Sequence, residues 1–576
     1  MKARFLLIPL LSSVLAACSG GTHRLTILST NDIHGAVFDS SYLGRRVHPS
    51  MICAATLIDS VRRAEGAGNV LLIDAGDFLQ GDNCVYYFNY VDTITPHLCP
   101  RMYAAMGYDA VVAGNHDIET GHAVYDRIAA QFESLGIPFL AANALKPDGS
   151  SYFKEYALLR RAGLKVLVLG CTNANIRAWL APSVWEGMDF RSLIPFVQEE
   201  VDKLQRRLRP DVTVVAVHSG TGDGNGLQIE NQGLDLLQSL KGVDVLVCAH
   251  DHNPLVKVED DICLINSGAR MRYVARAVLE GSGRRARRAR KLSADLLRVR
   301  AFKPDTALRA AFRADFEAVR AFTLRPVATL DRTLFTRDAF RGQSPYMDLI
   351  HTVQLRASGA DVSIAAPLSF DKVLHAGQLV FNDMFTLYAY ENSLYTVSMS
   401  GKELRNYLEY AYDQWIGGED GHVLRILPRD DPRTGARGWS FRNRSYNFDS
   451  AAGICYTVDA TRPCGERVNI SSMADGRPFA PERLYRVAMN SYRASGGLFL
   501  KASSLPVTVG AIEERILEKQ EEVRSLMYRA LRSEQNLTPA YYSDRSLLGN
   551  WEFVPAAARK TIEEDFKLVF PKAIVQ

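Results

Sequence analysis

Apolar residues enter this chain as short unbroken runs. Leu25–Ser29, Val70–Asp74, Ala110–Ala113, Val166–Gly170, Val212–His218, Val243–Ala249 and Ile262–Asn266 are the strand candidates of its first half. Several are rich in Val, Ile and Leu without polar alternation, the pattern of strands buried on both faces. Stretches of helical periodicity such as Ile194–Leu208 lie between them. Strand–helix alternation predicts α/β layering over residues 24–300. Residues 301–330 read as a linker, with a helix over Pro304–Thr323. A second, smaller α+β domain is expected over 331–537, mixing helices (Lys402–Asp413) with short strands (Ser393–Ser398, Tyr485–Met489). The tail, 538–576, is expected to pack back on the body.

A length of 576 residues exceeds one core and fits this division. Hydrophobic residues make up 47% and charged residues 23%, ordinary for a globular protein. The formal net charge of +4 is small for the length and gives no reason to expect a nucleic acid duplex as partner.

The N-terminus carries Lys2 and Arg4, then an apolar run from Phe5 to Leu15, then Leu15-Ala16-Ala17-Cys18. The run is too short to span a bilayer and suits an export signal over residues 1–18. Small residues before a cysteine resemble a bacterial lipobox, which implies lipidation at Cys18. Ser19 follows it, which resembles the outer-membrane default. The expectation is an exported bacterial lipoprotein, periplasmic or surface-exposed, a monomer whose body meets the membrane only through its lipid. Eight further cysteines permit disulfides, and Cys455–Cys464 is the best-placed pair by sequence. A basic run, Arg284, Arg285, Arg287, Arg288, Arg290 and Lys291, reads as a solvated turn or a contact for anionic head groups.

Chemistry concentrates just after the apolar runs, where open α/β sheets place their ligands. The segments are Asn31-Asp32-Ile33-His34-Gly35, Gly76-Asp77-Phe78-Leu79-Gln80-Gly81, Gly114-Asn115-His116-Asp117, His218-Ser219-Gly220 and His250-Asp251-His252-Asn253. Five of the twelve histidines fall in these five segments. Any one would be weak, because a lone His is more often structural; five in order, each at a strand end, point to a metal cluster. Two divalent cations can clamp a phosphoryl group and activate water. Such a pair needs a bridging carboxylate, for which Asp77 is suited, and neutral imidazole and amide donors, a mixture compatible with Zn, Mn, Fe, Mg or Co.

The order D-x-H, G-D-x-x-x-G, G-N-H-D, H, x-H-D-H resembles the 5′-nucleotidase/2′,3′-cyclic-nucleotide phosphodiesterase family. That resemblance implies a four-layer metallophosphoesterase sandwich, two mixed sheets flanked by helices, followed by a nucleotide-binding domain. It implies one metal on Asp32, His34, Asp77 and His252, and a second on Asp77, Asn115, His218 and His250. His116 would stabilise the transition state or protonate the leaving oxygen, oriented by Asp117, while metal-bound water attacks phosphorus directly. It also implies that the second domain swings about the linker to bring the base over the metals. One departure is Ala249 in place of the family's usual glycine before His250.

In the second domain, Asp383-Met384-Phe385 through Asn392, Ser400-Gly401-Lys402-Glu403-Leu404, and Asn490-Ser491-Tyr492-Arg493-Ala494-Ser495-Gly496-Gly497 resemble the family's nucleotide-binding segments. Aligned on the glycines, they imply that Tyr390 and Tyr492 sandwich the base. Ala365-Ala366-Pro367-Leu368-Ser369-Phe370 stands where 5′-nucleotidases carry N-G-G-G-x-R, and Leu498 where they carry an Asp. These departures, with Tyr446-Asn447-Phe448-Asp449, look more like the 2′,3′-cyclic-nucleotide 2′-phosphodiesterase/3′-nucleotidase branch. The alternatives are a 5′-nucleotidase, a broad phosphomonoesterase, or a surface nucleotide-binding protein with a dead site.

Overall fold

The computed structural model describes residues 22–43, 49–180, 182–259, 261–282, 291–390, 392–430, 437–495 and 514–571. Cys18, the arginines of the basic run, Gly496, Gly497 and Leu498 lie outside the described residues.

The first half builds two six-stranded sheets. One runs in the order Lys291–Arg298, Tyr273–Ser282, Thr22–Thr30, Val70–Asp74, Ala110–Val112, Phe139–Leu140. The other runs Leu255–Glu259, Ile262–Asn266, Val245–Val247, Val212–Val217, Leu164–Cys171, Tyr156–Arg161. Both are mixed: Thr22–Thr30 pairs parallel with Val70–Asp74 and antiparallel with Tyr273–Ser282. Period-two alternation assigns the faces. Leu25 and Ile27 enter a core shared with Val166, Val214, Val245 and Ile265 of the other sheet, whereas Leu28 faces the helices outside. Those helices include Met51–Glu65, Leu98–Met106 and His122–Ser134 on one side, and Leu193–Leu208 on the other. Val197, Val201 and Leu204 form the buried stripe of Leu193–Leu208. Helix, sheet, sheet, helix: the layers give an α/β four-layer sandwich, with three buried cores between them.

The linker region forms two helices, Thr306–Ala311 and Arg313–Thr323. Asp305 caps the first, and Arg309 reaches back to Asp39. Both helices pack against the first domain, which brings the chain to its turning point at Thr323–Arg325. There Asn382 and Phe381 donate backbone hydrogen bonds to Thr323 and Arg325.

The second domain holds a five-stranded sheet, in the order Ser450–Ala452, Val362–Ala365, Leu484–Asn490, Ser393–Ser400, Ile516–Glu522. Helix Pro345–Ser358 packs on it with its own buried core. Helix Gly401–Asp413 starts at a capping box. Ser400 Oγ accepts from Glu403 N at 3.2 Å, and Glu403 Oε2 accepts from Ser400 N at 2.8 Å. After residue 537 the chain adds Trp551–Val554, parallel to Ile454–Asp459, and the helix Ala556–Val569.

The expected Cys455–Cys464 bridge is not formed; both thiols are free. Cys455 sits near the start of strand Ile454–Asp459, opposite Ser472, while Cys464 lies beyond the strand's far end and donates to Glu409 O. A strand rises about 3.3 Å per residue, so the two are held too far apart for an S–S bond.

A candidate dinuclear metal centre beside a tyrosine platform

The five chemistry-bearing segments all lie at one edge of the sandwich, where Thr22–Thr30, Val70–Asp74, Ala110–Val112, Val212–Val217 and Val245–Val247 end. Their turns are unusual. Asp32, His34, Asp77, His250 and His252 all have positive φ, between 48° and 73°. Non-glycine residues in that region cost on the order of 1–3 kcal/mol each, a cost found where a site must aim side chains inward. Ala249 is not among the positive-φ residues, so the departure from glycine there is accommodated. Two glycines are required by contact. A Cβ on Gly76 (φ 97°) would sit 2.6 Å from Gly114 N, and one on Gly114 would sit 2.1 Å from Asp77 Oδ1.

The ligand-type atoms fall into two groups: Asp32, His34 and His252 in one, and Asp77, His218 and His250 in the other. Within each group they lie within 4.8 Å of one another. Asn115 joins the second through its Oδ1, 2.9 Å from His250 Nδ1. His34 Nε2 and His252 Nε2 are 2.9 Å apart, and His218 Nε2 is 3.1 Å from Asp77 Oδ2.

Hydrogen bonds behind the cluster fix its orientation. His218 Nδ1 donates to Ala75 O at 2.7 Å, and His34 Nδ1 to Gln80 O at 3.2 Å, which turns each Nε2 inward. Asp32 Oδ2 accepts from Asn31 Nδ2 at 2.6 Å and from His250 N at 2.9 Å. Ser219 is occupied structurally, its hydroxyl donating to Glu230 O at 2.9 Å.

The residues fit divalent cations. Asp32 Oδ1, Asp77 Oδ2 and His218 Nε2 are buried without a well-aligned hydrogen bond and have one another, His34 or His252 nearby as ionic partners, an arrangement that is costly unless another group satisfies them. The charges are poised accordingly. Burial, with His252 beside it, pulls His34 down to about 3. Burial, with His218 beside it, does the same to His250, again to about 3. Both are therefore neutral donors. Burial works against charge on Asp77, but His218 and His116 outweigh it and hold the carboxyl well below its usual range. His218 is the exception: burial opposes its charge, yet Asp77 raises the imidazolium to about 9, so a cation bound there would have to displace the proton held against Asp77.

His116 stands at the open side, half-buried, its backbone N–H donating to Asp77 Oδ1 at 2.9 Å. Its Nδ1 lies 2.6 Å from Glu119 Oε2, so Glu119, not Asp117, orients the ring. Adjacent residues on a helix point apart, whereas i and i+3 share a face. Asp117 instead accepts from the backbone N–H of Asp77 (2.9 Å), Phe78 (3.0 Å), Leu79 (3.0 Å) and Gly114 (2.8 Å). It fastens the Asp77 loop to the Asn115 loop.

Two residues without a mark in the sequence, Trp179 and Arg270, join the site, together with Tyr446 of the segment already noted. Trp179 stacks on His250, with ring centroids 5.1 Å apart and planes at 18°. Its carbonyl accepts from Tyr395 OH of the second domain at 3.1 Å. Arg270, whose backbone N–H donates to Asp32 O at 2.9 Å, stands at the rim. Tyr446 contributes to the surroundings of both platform tyrosines.

Tyr390 and Tyr492 are 48% and 54% exposed, although each sits on a buried anchor. Below Tyr390, the buried Arg524 donates to Tyr388 O (3.0 Å) and Ala389 O (3.2 Å). Beside Tyr492, the buried Arg493 pairs with Asp449 at 2.9 Å and reaches Asn447 Oδ1 at 3.2 Å and Tyr446 O. Asn490 ties the two supports together, donating to Tyr388 OH and accepting from Arg493 N. The platform faces the first domain. Helix Ser491–Ser495 packs against helix Ile176–Trp179. Burial and Tyr446 raise the Tyr390 hydroxyl while the nearby Arg270 opposes them, and Glu230 is among the groups acting on Tyr492.

Residues 25–254 match the profile of the calcineurin-like phosphoesterases, and residues 326–502 that of the 5′-nucleotidase C-terminal domain. The chain is 24% identical to a 2′,3′-cyclic-nucleotide 2′-phosphodiesterase/3′-nucleotidase of Salmonella typhimurium over 574 residues, 85% of this chain and 84% of that protein. It is equally 24% identical to a 5′-nucleotidase of Vibrio vulnificus over 581 residues, 90% and 96% of the two. A trifunctional nucleotide phosphoesterase protein of Bacillus subtilis is 22% identical over 82% of this chain, which spans only 36% of that protein. The fold is shared with a 5′-nucleotidase precursor from Thermus thermophilus, with a TM-score of 0.59, 20% identity and coverage of 92% and 99%. With the two domains matched in this order, the chain belongs to the metallophosphoesterases that carry a 5′-nucleotidase C-terminal domain, and is a phosphoric ester hydrolase dependent on divalent metal ions.

Proposed function

We propose that this protein hydrolyses nucleotide phosphoesters, with 2′,3′-cyclic nucleotides and 3′-nucleotides as its preferred substrates. The observation that carries the reading is a pair of exposed tyrosines on the side of the first domain: the helix of Tyr492 packs on that of Trp179, which stacks on His250, and Arg270, bonded to Asp32, acts on Tyr390. Base stacking on such rings is worth roughly 1–3 kcal/mol and tolerates different bases.

Two divalent cations, one on Asp32, His34, Asp77 and His252 and one on Asp77, Asn115, His218 and His250, would polarise the phosphoryl oxygens and activate a water. Asp77, grouped with His218 and His250, would be the carboxylate shared between the two. His116, steadied by Glu119, offers its Nε2 to the leaving oxygen and supplies the proton that oxygen needs. Tyr390 and Tyr492 hold the base, and Trp179 fixes the plane of His250. The Arg493–Asp449 pair shapes the Tyr446–Asp449 segment, and residues 365–370 carry no arginine; both features support the cyclic/3′ preference. A 5′-nucleotidase is the second reading, favoured by the Vibrio relative, which aligns over more of both chains. Purified protein assayed on 2′,3′-cyclic AMP, 3′-AMP and 5′-AMP separates the two; hydrolysis of 5′-AMP alone overturns the cyclic/3′ preference.

We also assign lipidation to Cys18 and an exported, membrane-tethered location. No helix among the described residues is long and apolar enough to cross a membrane. Metabolic labelling with a radioactive fatty acid, lost in Cys18→Ala, tests the anchor.

A further inference from the structure

Arg270 lies in the turn between strands Ile262–Asn266 and Tyr273–Ser282. It and Met271 are consecutive non-glycine residues in the left-handed region, at φ 52° and 53°. The surrounding structure must impose that conformation. One cause is visible: Arg270 N donates to the carbonyl of the ligand residue Asp32 at 2.9 Å. The guanidinium is exposed, and its Nη2 donates to Gly81 O at 3.3 Å. A Cβ placed on Gly81 would touch both His34 Cβ (2.9 Å) and Arg270 Nη2 (3.2 Å), which locates the guanidinium against the His34 wall of the cluster. Its charge acts on Asp82 and on Tyr390 of the second domain. A guanidinium carries five N–H donors. Among the described residues this one forms no salt bridge, so apart from the bond to Gly81 O its donors are open to solvent and to a ligand beside His34.

We propose that Arg270 binds a non-bridging oxygen of the substrate's phosphoryl group, gripping it from the platform side. The proposal rests on the cluster being the phosphoryl site, and does not depend on which nucleotide is cleaved. Planar, charge-assisted recognition of phosphate is what a guanidinium does best. Residues 365–370 of the second domain carry no arginine, so that segment offers no such charge.

The test uses Arg270→Asn, because asparagine tolerates positive φ, and Arg270→Lys. Both are compared with wild type as metal-loaded protein. Three quantities are read: inhibition by inorganic phosphate, kcat/KM on bis-p-nitrophenyl phosphate, which has no base, and kcat/KM on 2′,3′-cyclic AMP. Arg270→Asn is expected to weaken phosphate inhibition and lower both kcat/KM values roughly 10- to 100-fold. Lysine recovers part of each, and bound metal and melting temperature stay at wild-type values. Phosphate inhibition and small-diester turnover within twofold of wild type overturn the proposal. So does a loss matched by an equal loss of bound metal, which marks a structural role. A wild type that cleaves the diester but no nucleotide refutes the nucleotide reading and leaves the phosphate measurement to decide on Arg270.

Discussion

Replacing Glu119 by glutamine removes one charge at the most direct support of His116. The two side chains meet at 2.6 Å, with side-chain exposures of 29% and 17%, so solvent screens the pair only in part. Glutamine keeps the shape and can still accept from Nδ1. What disappears is the carboxylate that favours an imidazolium. A charge-assisted hydrogen bond contributes about 1.5–3 kcal/mol against about 1 for a neutral one. The difference, about 0.5–2 kcal/mol, lowers kcat roughly 2- to 30-fold if His116 delivers a proton in the transition state. Glu119→Ala also frees the ring to turn and is expected to cost more. The assay is steady-state kinetics on 2′,3′-cyclic AMP across pH, with metal analysis of the same samples. In Glu119→Gln the alkaline fall of kcat moves to lower pH, KM changes little, and bound metal is unchanged. A kcat within twofold of wild type and an unshifted pH profile would refute the assignment of His116 and Glu119 as an acid and its orienting carboxylate.

Tyr390→Ala and Tyr492→Ala should each raise KM for nucleotides by roughly 5- to 100-fold and leave turnover of bis-p-nitrophenyl phosphate near wild type. Asp117→Ala strands four backbone donors and should destabilise the chain by about 3 kcal/mol or more, read by denaturant unfolding, with loss of bound metal. Burial raises Asp74 to about 8, so between the unfolded carboxyl pKa and pH 8 the folded state holds a proton that the unfolded chain has released. Metal-free protein should therefore lose stability as pH rises through this window, by up to about 1.4 kcal/mol per unit; Asp74→Asn should flatten the slope measured by denaturant unfolding at pH 5, 6, 7 and 8.

The α/β layering was legible because the strands are continuous apolar runs, while the four-layer sandwich came from the resemblance of the motifs. Val70–Asp74 and Ile262–Asn266 have the expected bounds, and Leu193–Leu208 starts one residue early. Ligand-type residues were legible because a strand end marks where a side chain can enter the site. Orientation within a short helix was not. The resemblance implied Asp117 as the partner of His116, while the three-residue spacing to Glu119 carried the face relation. Cys455 and Cys464 looked like neighbours until the strand between them was extended. Arg270 and Trp179 had no motif to announce them, because their roles come from chain segments that meet only after folding. The same holds for Arg524 and Arg493: charge usually marks surface, yet both are buried, one holding the carbonyls that precede Tyr390 and the other paired with Asp449 beside Tyr492.

The central claim is a pair of divalent cations doing phosphoester chemistry in this cluster. Chelated protein titrated with Mn²⁺, with bound metal and turnover of 2′,3′-cyclic AMP followed together, tests it most directly. The account predicts no turnover without metal, binding that saturates at two equivalents, and full activity only as the second site fills. Activity that persists in metal-free protein, or a chain that binds no more than one equivalent while fully active, would contradict it.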